Sequence, residues 1–117
     1  MALIRTADVP EYYFEERCFI KELFNQPDLP GLSIARARVE SGVTTVLHQL
    51  TGTEVYYILA GTGEAEIGER RFVVGPGDVL RIDPHQPQRI TNTGSVDLLF
   101  LAICTPRFKV ANYSVVG

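Results

Sequence analysis

Evenly spaced turn residues constrain this chain more than any other feature. From Leu32 onward they recur at Ser41-Gly42, Thr51-Gly52-Thr53, Gly61-Thr62-Gly63, Gly68, Gly75-Pro76-Gly77-Asp78, Asp83-Pro84 and Thr93-Gly94. Glycine supplies positive φ and proline presets φ, so each cluster marks a reversal. Between the reversals lie short runs of β-formers: IARARVE, TTVLHQL, VYYILA, EAEI, RFVV, VLRI, QRITN and LLFLAIC. Strands at such short spacing predict an all-β sandwich or barrel. No stretch after Gly31 has the length and period of a core helix.

Size and charge narrow the reading further. A chain of 117 residues is one domain's worth. It can bury about two-thirds of its surface without a metal or disulfide to staple it. The net charge of −3 argues against non-specific nucleic-acid binding, which needs a basic face. Two cysteines, Cys18 and Cys104, allow neither a disulfide framework nor a cysteine zinc site. The longest apolar run, Leu98 to Cys104, is too short to span a bilayer. The opening residues MALIRTADVP lack the basic start and apolar core of a secretory leader. A soluble cytoplasmic protein is therefore expected, with no nucleic-acid or membrane partner.

Residues 1–31 differ from the rest and read as an amino-terminal arm, with the barrel over 32–117. The arm is rich in aromatics and acids, among them Tyr12, Tyr13, Phe14, Glu15 and Glu16, and ends in a loop around Pro27-Asp28-Leu29-Pro30-Gly31. Arg17 to Leu23 is read as a strand, because Cys18, Phe19 and Ile20 are poor helix formers in series. Val55–Ala60 and Leu98–Cys104 are apolar on both faces, so a second surface must cover them. A homodimer, with the arm packed on the barrel or on the partner, would do so.

Two histidines are present. His48 shares a strand face with Val46 and Leu50, because side chains alternate across a strand. Alone, it reads as a hydrogen-bonded core residue, and Glu54 as a solvated strand end. Tyr56 follows Glu54 on the same face, where its hydroxyl could donate to a substrate oxygen or simply pack in the core. Arg36 and Arg38 share one face of their strand, with Ala35 and Ala37 on the other. Facing outward they are solvated; facing inward their guanidinium forks would hold a carboxylate or phosphate. His85 is expected at a loop tip, and Cys104 as an inert core thiol.

Spacing then links these residues. The stretch Gly42-x5-His48-x-Leu50-x3-Glu54-x6-Gly61 resembles the first motif of the cupin superfamily, G-x5-H-x-H-x3,4-E-x6-G, at four of five fixed positions. The second motif, G-x5-P-x-G-x2-H-x3-N, is matched by Gly77 and Asn92. Asp83, His85 and Gln88 take its proline, glycine and histidine places. The resemblance covers roughly Leu32 to Pro106. It implies a jelly-roll barrel, the double-stranded β-helix, with the two motifs as facing hairpins.

It also implies a ligand set of His48, Glu54 and Gln88 for a divalent ion such as Mn, Fe, Ni or Zn. Leu50 stands where a further histidine would be and cannot ligate. Without metal, His48 would serve as general base and Glu54 would orient it or titrate upward by burial. The implied function is binding of a small polar metabolite in the barrel, with Arg36, Arg38, Tyr56 and Gln88 as substrate contacts. His48 and Glu54 would be the catalytic pair of a metal-dependent dioxygenase or a sugar-type isomerase. The alternative is a non-catalytic small-molecule binder with a decayed metal site.

Overall fold

The computed structural model describes residues 2–116. Met1 and Gly117, the outer bounds of the two expected units, lie outside them. The described residues form eleven strands: β1 (Tyr12–Phe14), β2 (Cys18–Asn25), β3 (Ser33–Val39), β4 (His48–Leu50), β5 (Thr53–Ala60), β6 (Gly63–Ile67), β7 (Arg70–Val74), β8 (Val79–Ile82), β9 (Gln88–Asn92), β10 (Leu98–Thr105) and β11 (Tyr113–Val115). The only helical element among the described residues is one 3-10 turn, Val110–Asn112. Among the described residues, no helix is long and apolar enough to cross a membrane.

The strands make two antiparallel sheets, ordered β1-β2-β3-β10-β5-β8 and β11-β4-β9-β6-β7. Their inner faces enclose the core, and the burial alternates as a two-residue period requires. On β6, Gly63, Ala65 and Ile67 are buried while Glu64 and Glu66 are not; on β9, Gln88, Ile90 and Asn92 are buried. Val39, Ile58, Ile90 and Leu98 are almost wholly inaccessible and form the centre of the core.

All eight expected runs contain strands, and the Arg17–Leu23 expectation is met by β2. Only part of TTVLHQL is strand, however. Thr44 makes an isolated bridge to Thr91. The Thr45 hydroxyl accepts from the Ile90 amide at 2.9 Å, and the Val46 amide donates to the Glu16 carbonyl at 3.0 Å. Backbone bonds from Thr45 N to the Ile90 carbonyl at 2.9 Å and from Asn92 N to the Val43 carbonyl at 3.0 Å still tie this stretch to β9, and side-chain and arm contacts supplement them. The short strands β1 and β11 carry too few residues for alternation to show in the sequence.

The glycine and asparagine of the two motifs have structural work. Gly61 sits at φ 83°, and a Cβ there would lie 2.7 Å from the Asp97 carbonyl. Only glycine allows both the left-handed backbone and the close approach of β10. Asn92 ties three segments together. Its Nδ2 donates to the carbonyls of Val39 at 2.9 Å and Val96 at 2.8 Å. Its Oδ1 accepts from the Gly94 amide at 2.9 Å.

Asn92→Ala removes all three bonds and leaves buried backbone groups unpaired. The expected loss is about 3 kcal/mol of unfolding free energy. Urea denaturation measures it, and a loss below about 1 kcal/mol contradicts this role.

Candidate ligand cavity

Strand alternation on β5 turns Glu54 and Tyr56 inward together, and both are buried. Gln88 enters from β9 in the opposite sheet. The Tyr56 hydroxyl donates to Gln88 Oε1 at 2.8 Å. Gln88 Nε2 donates to Glu54 Oε1 at 3.0 Å. On the far side, the Cys104 thiol approaches Glu54 Oε2 at 3.6 Å. The chain Tyr56–Gln88–Glu54–Cys104 thus links three strands and both sheets.

His48 lies behind this chain. Its Nδ1 is 2.7 Å from the Val46 carbonyl, which can only accept, so the proton sits on Nδ1. The lone pair of Nε2 faces Glu16 Oε1 at 3.6 Å. Tyr113 of β11 stacks on the imidazole at 5.2 Å between ring centroids. Glu16 comes from the turn between β1 and β2, a region the sequence motifs do not touch. One signal could have found it: Tyr12, Phe14 and Glu16 fall on every second position, and all three line the cavity.

Burial sets the charge state of this interior. Glu16 is pushed up to about 8 by desolvation, helped by the nearby Glu54 carboxyl. Glu54 is pushed up to about 7 by desolvation, against the pull of its bonds to Gln88, Cys104 and Tyr56. Desolvation also lowers the His48 imidazole, partly offset by its backbone bond. It raises both the Cys18 and Cys104 thiols, so neither is a ready thiolate. At neutral pH Glu16 therefore holds its proton for the most part, while Glu54 stands near its midpoint.

The cavity encloses about 50 Å3 and opens to solvent at one end. The small side chains of Ala35, Ala37 and Ala102 leave this room on the inner face of β3 and β10. Glu16, Glu22 and Glu54 reach its wall. Tyr12 is partly exposed and marks the outer end.

Several expected site residues stand elsewhere. Arg36 and Arg38 lie on the outer face of β3, because Ala35 and Ala37 take the inner one. Both bind Glu11 of the arm: Arg36 Nη2 to Oε2 at 3.0 Å, Arg38 Nη2 to Oε1 at 2.7 Å. They fasten the arm and do not reach the cavity. His85 is exposed in the β8–β9 turn at φ 64°.

The metal set of His48, Glu54 and Gln88 does not fit an ion as arranged. Gln88 already uses its amide oxygen for Tyr56 and its amide NH2 for Glu54. His48 Nε2 faces Glu16. Among the described residues, no three His, Cys, Asp or Glu side chains gather in a metal-holding group.

The raised carboxyls carry a pH signature. Above the ordinary 4.5 of a glutamate the unfolded chain releases protons that folded Glu16 and Glu54 retain. Stability must then fall as pH rises through about 7 and 8. His48, lowered in the fold, acts oppositely, but only below its ordinary 6.5. Urea midpoints should therefore drop between pH 6.5 and pH 8. Glu16→Gln, which cannot ionise, should flatten the drop; an unchanged slope would show that Glu16 is not the group responsible.

The fold and this interior can now be set beside known proteins. Residues 35–104 match the family model described as Cupin domain. An uncharacterized protein of Methanocaldococcus jannaschii is 34% identical over 114 residues, covering 93% of this chain and 91% of that one. An oxalate-binding protein of Thermotoga maritima is 37% identical over 70 residues, 59% of this chain and 58% of its own. The crystal structure of a predicted oxalate decarboxylase from Thermotoga maritima superposes with a TM-score of 0.80 at 25% identity, over 89% of this chain and 98% of that one. The jelly-roll barrel, the positions of Gly61 and Asn92 and the family match agree: this chain is a member of the cupin family.

Proposed function

We propose that this protein binds a small molecule in the barrel cavity without a metal ion. One observation carries the reading: at the ligand positions of the motifs Gln88 bonds to Glu54 and His48 turns to the Val46 carbonyl and Glu16, while a cavity stays open beside them. Gln88 is the key. An imidazole at that position would offer a lone pair to an ion, whereas the amide joins Tyr56 to Glu54. A metal-dependent dioxygenase or isomerase needs free donors for its ion, and the bonded Gln88 and Glu54 do not favour one. Oxalate, the ligand in one relative's name, is a dianion; no lysine or arginine is among the residues lining the cavity. A metal-free cavity walled by carboxyls does not favour it.

Gln88→His tests the reading. It removes both hydrogen bonds, frees Glu54 Oε1 and supplies the imidazole the motif carries there. Melting temperatures are measured with Mn2+, Ni2+ or Zn2+ added. The parent should show no saturable shift, and the variant should gain roughly 2.7 kcal/mol at a hundredfold excess over Kd. Stoichiometric metal that survives a chelator in the parent contradicts the proposal.

The same reading includes a homodimer. Tyr57, Leu59 and Val79 are exposed together on the outer face of β5 and β8, which supports a covered surface there. Sedimentation at micromolar concentration should show the dimer; a monomer contradicts it.

A further inference from the structure

We infer that the occupant of this cavity is a small organic cation, an amine or quaternary ammonium, held against aromatic rings and carboxyls. This rests on the metal-free cavity proposed above and names what enters it. The lining has two components. Tyr12, Phe14, Tyr56, Phe100 and Phe108 contribute five aromatic rings. Glu16, Glu22 and Glu54 contribute three carboxyls, one from the arm, one from β2 and one from β5. No basic side chain is among the lining residues.

Each component selects the same charge. Aromatic faces carry negative potential and attract a desolvated cation, most of all an alkylated ammonium with its diffuse charge and cheap dehydration. Carboxyls in a poorly hydrated wall, once ionised, attract the same ion and repel an anion. A neutral ligand of equal shape gains the apolar contact and neither electrostatic term.

The cation would also supply what the buried carboxyls lack. Glu54 is faced by Tyr56, Cys104, Gln88 and Glu16; Glu16 is faced by Cys18, Glu15, His48, Tyr113 and Glu54. No lysine or arginine stands among them. Burial holds the protons of the two carboxyls to about 7 and about 8, and no basic neighbour offsets it. Entry of a positive charge favours their ionisation, so binding should release protons and strengthen with pH.

Choline and two carbon relatives of similar shape, uncharged 3,3-dimethylbutan-1-ol and anionic 3,3-dimethylbutanoate, separate charge from shape. Isothermal titration against the wild-type protein is run at pH 6 and pH 9. Buffers of different ionisation enthalpy count the protons exchanged. Choline should bind at least ~10-fold tighter than the alcohol. Its affinity should rise roughly tenfold from pH 6 to pH 9 with proton release, because choline itself does not titrate in that range. Glu54→Gln should shrink that rise. Binding of the alcohol or the acid as well as or better than choline overturns the cation assignment and leaves the small-molecule cavity standing. Binding by none of the three at millimolar concentration overturns both.

Discussion

The amide of Gln88 sets the direction of the hydrogen bonds inside this barrel. Glu54 accepts, so the NH2 group must face it, and the amide oxygen is left for the Tyr56 hydroxyl. A neutral side chain can join a carboxyl to a phenol in this way; a metal-binding imidazole could not serve both. The substitution at one motif position therefore reaches the whole interior. It engages a Glu54 oxygen and holds Tyr56 inward. It also leaves His48 to Glu16 and Tyr113.

A polar interior of this kind is costly, and the structure shows how the cost is contained. Burying a carboxylate without a partner is unfavourable by several kcal/mol in general, so such groups take up a proton. Glu16 and Glu54 do so near neutrality. The arm helps to maintain the arrangement. Glu11 binds Arg36 and Arg38 on the outer face of β3, and the arm then turns so that Phe14 and Glu16 close the cavity. The two arginines thus act on the site only indirectly, by holding the segment that supplies one of its carboxyls.

The fold was largely legible in the sequence because turn chemistry is local. Gly61 and Asn92 matter for backbone geometry, and the spacing motif that contains them reports that geometry directly. Glu54 and Gln88 were legible as inward residues because they fall at ligand positions of the spacing motifs, and Tyr56 because alternation puts it on the face of Glu54. What the residues do together was not legible. Gln88 read as a weak metal donor because its partner Tyr56 lies 32 residues away, and no local pattern reports that bond. Arg36 and Arg38 were ambiguous because alternation gives two faces without saying which is inner; Glu11 on the arm decides it. Glu16 escaped notice because it lies in a turn outside both motifs, and only tertiary packing brings it to His48.

The central claim is that burial raises two carboxyls in the barrel to midpoints near neutrality, so that they are not permanently ionised, open metal ligands. Titration of the side-chain carboxyl carbons by 13C NMR tests this most directly, with Glu16→Gln and Glu54→Gln assigning the two signals. The account predicts midpoints near 8 for Glu16 and near 7 for Glu54. Midpoints near the ordinary 4.5 for both would contradict it and return Glu54 to the role of an ionised ligand.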